Sequence, residues 1–206
     1  SQDKGFENIT IDLIYGIPTL TDENWEKNLS RTFSLNVPHA SCYGLIVEPR
    51  TALHSFIKKG KVAPLDEQKT AVQFEIVMNR MKAEHFIHYE ICSFCKKGFH
   101  SRHNSSYWLR EKYLGLGPSA HSYNGMSRQW NVANNNAYIR YLENDHSFFE
   151  SEDLSKTMQY NEYILTSLRT MWGCNQEVIK TNFGEDYLDY FLNEAEKYIN
   201  SGMINK

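Results

Sequence analysis

The chain has 206 residues and a formal net charge of −3, with 41% apolar and 23% charged residues. These values fit a globular protein with a buried core, and the slightly acidic balance excludes a general nucleic-acid binder, which is normally basic. No run approaches the roughly 18 apolar residues of a membrane helix, and no secretory signal pattern opens the chain. A cytoplasmic protein with reduced cysteines is therefore expected.

The first 94 residues predict an α/β fold. Apolar and polar residues alternate in the first strand, Gly16 ends it, and Thr21 or Asp22 can cap the helix that follows. A helix between two strands favours parallel strands in a sheet or a barrel. The predicted elements are strand 9–15, helix 23–35, strand 40–47, helix 66–83 and strand 88–94.

The rest of the chain predicts a long irregular stretch followed by a small helical domain. Residues 95–136 are irregular and rich in Gly, His and Asn, and a long structured loop of this kind is usually functional. A short helix at 137–144 and an acidic linker at 145–155 come next. We place the domain boundary between 1–145 and 146–206. The second domain resembles a winged helix without its wing, with helices at 156–171, 176–182 and 186–200.

Asp12 is the first candidate functional residue. It lies in the middle of the first strand between Ile11 and Leu13, where a carboxylate costs free energy unless it is paired or hydrogen-bonded. In a barrel it would point inward, toward the region where ligands bind. A structural ion pair with Lys or Arg is an equally good explanation.

The segment 100–104, H-S-R-H-N, is the second candidate, and Tyr107 and Trp108 follow it. Histidine ligates iron or zinc and moves protons near neutral pH. His100 and His103 are three residues apart, so they would share a face if the segment were helical. The competing interpretation is a polar loop that its aromatic residues pack.

Two further segments carry weaker signals. The small residues of 113–122, Y-L-G-L-G-P-S-A-H-S, would let the backbone approach a ligand closely, but a tight turn explains them as well. Cys92 and Cys95 have C-x-x-C spacing without a second pair, so two thiols at the end of a strand are the better interpretation.

Four segments, in this order, resemble the coproporphyrinogen oxidase-like radical S-adenosylmethionine (SAM) family. They are D-L-I-Y-G-I-P at 12–18, Y-E-I at 89–91, H-N-S-S-Y-W at 103–108 and Y-L-G-L-G-P-S-A-H-S-Y at 113–123. The second segment is similar to the family's Y-E-I-S-N-F-A strand. The third fits H-N-x-x-Y-W, which is associated with the HemW haem chaperone branch.

The resemblance implies the later part of a partial (β/α) radical SAM barrel, followed by the winged-helix-like domain. It also implies SAM as a cofactor and, in the parent protein, a 4Fe-4S cluster on a C-x-x-x-C-x-x-C segment. None of the four cysteines matches that segment, so no cluster ligand is expected in this chain. The chain alone is expected to bind no cluster and to cleave no SAM, and both of its ends are expected to be cut.

The resemblance also assigns site residues. Asp12 matches the family aspartate that contacts SAM, and Ile46 and His121 fall at positions that line the SAM site, although the oxidase branch has an apolar residue where His121 stands. His103 matches the histidine implicated in haem binding. Cys92 and Cys95 replace a serine and an alanine of the usual pattern, so the pair is not expected to act.

Two functions are implied. The chaperone branch binds haem and passes it to apo-haem proteins, with His103 as a candidate axial ligand. The oxidase branch decarboxylates the propionates of coproporphyrinogen III with a radical made from SAM, to give protoporphyrinogen IX. The H-N-x-x-Y-W match favours the chaperone, and a fragment whose present role is packing alone is the third possibility.

Overall fold

The computed structural model describes residues 1–205, and the chain divides into two compact units, Ser1–Ser101 and Arg102–Lys206. This division by compactness lies earlier than the domain boundary predicted at residue 145, which stays a prediction. Across the described residues, no helix is long and apolar enough to cross a membrane.

The first unit contains a four-stranded sheet in the order β1-β2-β4-β3. Strands β1 and β2 are parallel, as the strand–helix–strand pattern predicted, whereas β4 runs antiparallel to both of its neighbours. A short 3-10 turn at Gln2–Lys4 precedes the sheet. The elements are β1 Thr10–Tyr15, α1 Asp22–Ser34, β2 His39–Gly44, α2 Ala52–Lys58, α3 Glu67–Ala83, β3 Ile87–Glu90 and β4 Ser93–Cys95.

The two long helices of this unit begin at side-chain caps. Thr21 Oγ1 accepts a hydrogen bond from the Asn24 N–H at 3.2 Å, and Asp66 Oδ1 accepts one from the Lys69 N–H at 3.0 Å. Each cap satisfies a backbone donor that the first helical turn leaves unpaired. The predictions of α1 and α3 are confirmed to within one or two residues.

The prediction of one strand over residues 88–94 is wrong. The segment is a tight hairpin in which β3 and β4 pair antiparallel, with a register shift between His88 and Glu90. A turn at Ile91 and Cys92 joins them, and a Glu90 carboxylate oxygen accepts a hydrogen bond from the Cys92 N–H at 3.1 Å. A side chain makes this turn, so Gly and Pro, the usual turn signals, are not needed.

The core of the first unit lies between the helices and one face of the sheet. Trp25 is fully buried, and its indole N–H donates to the Gln73 carbonyl at 2.9 Å. Burying each large apolar side chain stabilises the fold by about 1.5–3 kcal/mol, so this layer fixes α1 and α3 on the sheet. The buried members of the cluster are Tyr15, Trp25, Leu29, Ala40, Cys42, Val77, Met81 and Phe94.

The second unit begins with elements that the sequence did not predict. The stretch 95–136, expected to be irregular, contains a helix and two strands, and the expected linker 145–155 contains a third strand. These three strands form an antiparallel sheet in the order β5-β6-β7. The elements of this region are α4 Arg102–Trp108, β5 His121–Tyr123, β6 Ser127–Asn131, α5 Asn135–Glu143 and β7 Phe149–Asp153. Of these, α5 confirms the short helix predicted at 137–144.

Three helices complete the second unit, as predicted. They are α6 Lys156–Ser167, α7 Gln176–Phe183 and α8 Glu185–Asn200. Tyr160, Ile179 and Phe183 form their buried cluster. The first of these helices ends at Ser167 rather than at the predicted residue 171.

Candidate functional site

The sheet of the first unit has one covered face and one face turned away from α1 and α3. Leu13, Tyr15 and Cys42 point into the helical core, whereas Asp12 points to the opposite face. There it stands in register with Ser41 of β2, and its side chain is exposed. Asp12 therefore lies on the face that a barrel would enclose. Among residues 1–205 it makes no ion pair with Lys or Arg, which was its alternative explanation.

Ile46 follows β2 at its carboxyl end and is 73% exposed. The N–H of the preceding residue, Leu45, donates to the Tyr15 carbonyl at 2.8 Å. The hydrogen bonding between β1 and the chain therefore continues one residue beyond the end of β2. Asp12 thus lies in the middle of β1, and Ile46 lies two residues beyond the end of the adjacent parallel strand, β2. Their proposed contact with SAM remains a prediction.

A buried polar network on the same face was missed by the sequence analysis. His39 begins β2 and is 3% exposed, with Nδ1 2.7 Å from Thr10 Oγ1 and Nε2 2.9 Å from the Tyr89 hydroxyl. The Ser101 N–H donates to the same Tyr89 hydroxyl at 3.3 Å. No local pattern marks His39, because only strand pairing brings its partners together.

Burial decides the protonation state of this network. It lowers the pKa of His39, although the carboxylates of Glu90 and Asp12 work to raise it and His100 to lower it further. Burial also raises the pKa of Tyr89. Near neutral pH both rings are therefore neutral, and the network consists of hydrogen bonds between uncharged groups.

Cys42 and Cys95 of the first unit carry protonated thiols. Burial raises the pKa of Cys42 to about 12 and that of Cys95 to about 11. A thiol of such a pKa is a poor nucleophile and a poor metal ligand at neutral pH. Among residues 1–205, no three His, Cys, Asp or Glu side chains are grouped so that they could hold a metal ion. The described residues thus do not fit the family's iron–sulfur cluster.

His103 lies in the first turn of α4 with its imidazole exposed. The ring meets Tyr107 edge to face, with centroids 5.0 Å apart. Aromatic contacts continue from Tyr107 to Tyr113 at 4.8 Å and from Tyr113 to Tyr123 at 6.2 Å. His100 precedes α4, which begins at Arg102, so His100 and His103 do not meet the condition of one helix on which a shared face depended.

The row of tyrosines forms one wall of a cavity of about 340 Å³. Both arginines that line it, Arg110 and Arg128, were missed by the sequence analysis, since they are far apart in the chain. The remaining lining residues are Tyr107, Tyr113, Tyr123, Glu162, Leu165 and Thr166.

His121 is the first residue of β5 and is exposed, with its ring centroid 6.3 Å from that of Trp130. The glycine-rich segment before it folds closely on its own chain, because a Cβ on Gly115 would lie 2.1 Å from the His121 carbonyl oxygen. At Gly115 the absence of a side chain therefore serves a tight turn. The predicted role of His121 at SAM is unaffected by this packing and stays a prediction.

The four predicted site residues are divided between the units. Asp12 and Ile46 belong to the first unit, and His103 and His121 belong to the second. An imidazole beside an aromatic ring fits an axial ligand of haem iron, and an exposed carboxylate fits the hydroxyl or amino groups of SAM.

Comparison with known proteins places this arrangement in a family. The chain is 32% identical over 202 residues to a protein of Bacillus subtilis named "Heme chaperone HemW", which covers 98% of this chain and 53% of that protein. It is 37% identical over 139 residues to the "Heme chaperone HemW" of Mycobacterium tuberculosis, which covers 68% of this chain and 36% of that protein. The chain thus spans about half the length, or less, of these curated relatives. No family model matches it.

The fold has a solved counterpart. Coproporphyrinogen III oxidase (HemN) from Escherichia coli, described as a radical SAM enzyme, superposes with a TM-score of 0.80 at 18% identity, over 100% of this chain and 51% of that one. The mixed α/β architecture is therefore that of part of the radical SAM barrel together with a helical part, as predicted. With the two relatives, this match shows that the chain belongs to the family of HemN-like and HemW-like radical SAM proteins.

Proposed function

We propose that this chain is the haem-binding portion of a HemW-like haem chaperone of the cytoplasm, with His103 as the axial ligand of the haem iron. The observation that carries the proposal is the placement of His103: its imidazole is exposed on α4 and held edge to face by Tyr107, at 5.0 Å. A neutral imidazole is the commonest protein ligand of haem iron. The similarity to proteins named as haem chaperones supports the same assignment.

SAM is the second ligand of the proposal. Asp12 and Ile46 would contact it from the first unit and His121 from the second, as the family resemblance implies. The Asp12 carboxylate supports this assignment because it is exposed on the sheet face opposite the helices. When bound, SAM would supply radical chemistry, and this chain would contribute only binding groups to it. The acceptors would be apo-haem proteins.

The fold match to coproporphyrinogen III oxidase favours a second candidate, a porphyrinogen-oxidising enzyme of the same family. Turnover of coproporphyrinogen would support it and would count against the chaperone. A requirement for a histidine ligand to iron distinguishes the two candidates, because haem contains iron whereas a porphyrinogen substrate holds no metal.

Titration of the purified chain with ferric haem tests the proposal. The wild type should give a saturable Soret shift, and His103→Ala should weaken binding by about tenfold or more, as expected for the loss of an iron–nitrogen bond. His146→Ala is the matched control, since His146 is also an exposed histidine of the second unit. Equal affinity and equal spectra for the wild type and His103→Ala would reject the assignment.

A further inference from the structure

The cavity beside the tyrosine row supplies a second recognition element. We infer that the guanidinium of Arg110 binds a propionate carboxylate of the tetrapyrrole, while the aromatic wall receives the edge of the ring. The inference rests on the proposed function, because it takes the tetrapyrrole as the ligand. Tyr107 joins the two elements, since its ring contacts His103 and also lines the cavity.

Arg110 keeps unused hydrogen-bonding capacity. Within the described residues its Nη1 donates to the Gln159 carbonyl at 2.9 Å, and its Nη2 donates to the Tyr123 hydroxyl at 2.8 Å. Both acceptors are uncharged, and the Tyr123 hydroxyl in turn donates to the Gly125 carbonyl at 3.2 Å. A guanidinium has five N–H donors, so these two bonds orient the planar guanidinium of Arg110 and leave further N–H donors for a ligand.

The carboxylate of Glu162 is committed to the other arginine. Glu162 Oε1 accepts a hydrogen bond from Arg128 at 2.7 Å, whereas Glu162 Oε2 lies 3.9 Å from Arg110, beyond hydrogen-bond distance. Burial works to lower the pKa of Arg128, but the bond to Glu162 and its charge raise it overall. Glu152 adds a second carboxylate 3.6 Å from Arg128. Arg128 therefore pairs with two carboxylates, at 2.7 and 3.6 Å, whereas Arg110 makes a longer ion pair of 3.9 Å with Glu162, without a hydrogen bond.

The position of Arg110 is unusual for its residue type. It follows α4 with φ of 58°, in the left-handed region where a helix end normally carries Gly. The Arg110 N–H bonds to the Tyr107 carbonyl and the Glu111 N–H to the Ser106 carbonyl, as in a helix-ending turn. An arginine here carries backbone strain that a glycine would avoid.

The size and lining of the cavity fit a carboxylate arm and a ring edge rather than a whole macrocycle. Its volume of about 340 Å³ is small for a ligand pocket. The faces and edges of three tyrosines offer aromatic contact to a flat conjugated ring. Burial raises the pKa of Tyr113, so its phenol stays neutral beside an incoming carboxylate.

Metal-free protoporphyrin IX and its dimethyl ester provide the test, since the two differ only in their carboxylates. The wild-type chain should bind the free acid about tenfold more tightly than the ester, as a charge-assisted hydrogen bond of about 1.4 kcal/mol requires. Arg110→Gln should reduce this preference to about twofold or less. Arg140→Gln removes the same charge from an exposed site on α5 and should keep the preference.

The ratio of the two affinities within one variant corrects for partial misfolding. If Arg110→Gln does not fold, Arg110→Lys replaces it and should lower the preference about threefold, because an ammonium cannot form the planar fork. Equal binding of acid and ester by the wild type, or an undiminished preference in the Arg110 variants, would overturn the inference. The probe has no iron, so loss of His103 ligation and loss of carboxylate recognition are measured separately.

Discussion

The imidazole of His103 and the phenol ring of Tyr107 meet edge to face one helical turn apart on α4, with centroids 5.0 Å apart. Side chains four residues apart are neighbours on a helix surface, so the short helix alone creates this contact. Tyr107 limits the orientations of an otherwise exposed imidazole. That restriction is what a preorganised metal ligand needs.

Replacing Tyr107 should therefore weaken haem binding even though the residue is not the proposed ligand. Tyr107→Ala removes the ring that orients His103, and we expect the haem affinity to fall by about threefold to tenfold. Tyr107→Phe keeps the ring and should bind within about twofold of the wild type. Haem titration monitored at the Soret band measures both, and equal affinities of the Ala and Phe variants would show that the contact has no effect.

Gln73 should be a major stabilising residue of the first unit. It is fully buried; its Oε1 accepts from the Gly16 N–H at 2.8 Å, and its Nε2 donates to Asp22 Oδ1 at 2.9 Å. Gln73→Leu leaves the Gly16 N–H without its partner, which should cost about 2–3 kcal/mol. The opening free energy of α3, measured by hydrogen exchange and mass spectrometry, reports the loss. Gln68→Leu, at an exposed position of the same helix, should change it by less than about 0.5 kcal/mol.

The first unit should lose stability as the pH falls below about 6.5, the ordinary pKa of histidine. Burial depresses the pKa of His39 in the folded state, so in this range the unfolded chain takes up a proton that folded His39 does not. Stability therefore falls with falling pH, by at most about 1.4 kcal/mol per pH unit for this one group.

Urea unfolding between about pH 7.5 and 5.5 measures this effect. Ordinary carboxylates titrate below this range, so they contribute little to the change. The fluorescence of Trp25 reports the first unit when Trp108, Trp130 and Trp172 are replaced by Phe. His39→Gln should flatten the pH dependence, whereas His54→Gln, at an exposed position, should leave it intact. A pH profile that is the same in all three proteins would contradict the role given to His39.

The turn before β5 should not tolerate a side chain at Gly115. A Cβ there would lie 2.1 Å from the His121 carbonyl oxygen, which is a backbone atom that cannot move without disturbing β5. Gly115→Ala should destabilise the second unit by about 1–3 kcal/mol or more. Gly117→Ala meets nothing within 4 Å and carries only the strain of a φ of +99°, so its cost should be smaller. Thermal melting compares the two variants, and equal melting temperatures would refute the steric argument.

Much of the first unit was predictable from local pattern. The alternation of residues 9–15 gave β1 and also the face of Asp12, because strand geometry sends every second side chain to the same side. Periodic segments, with a cap predicted at Thr21 or Asp22 for α1, gave α1, α3 and the three last helices within a few residues of their observed ends. The parallel pairing of β1 and β2 followed from the helix between them.

The rest depends on contacts that local sequence does not carry. Strands β4 and β5 have three residues each, too few for a periodicity, and only pairing with a neighbour makes them strands. Arg110 and His39 were missed for the same reason: their partners are distant in sequence and are brought near by folding. His103 was identified through a motif, and its contact with Tyr107 became visible only in the structure.

The central claim is that His103 ligates haem iron, and chemical rescue tests it most directly. In His103→Gly the helix loses the imidazole, and free imidazole can enter the space that it leaves. The account predicts that His103→Gly changes the ferric haem spectrum and that added imidazole restores the wild-type spectrum, with no such change in His146→Gly. An unaltered spectrum in His103→Gly, before any imidazole is added, would contradict the account.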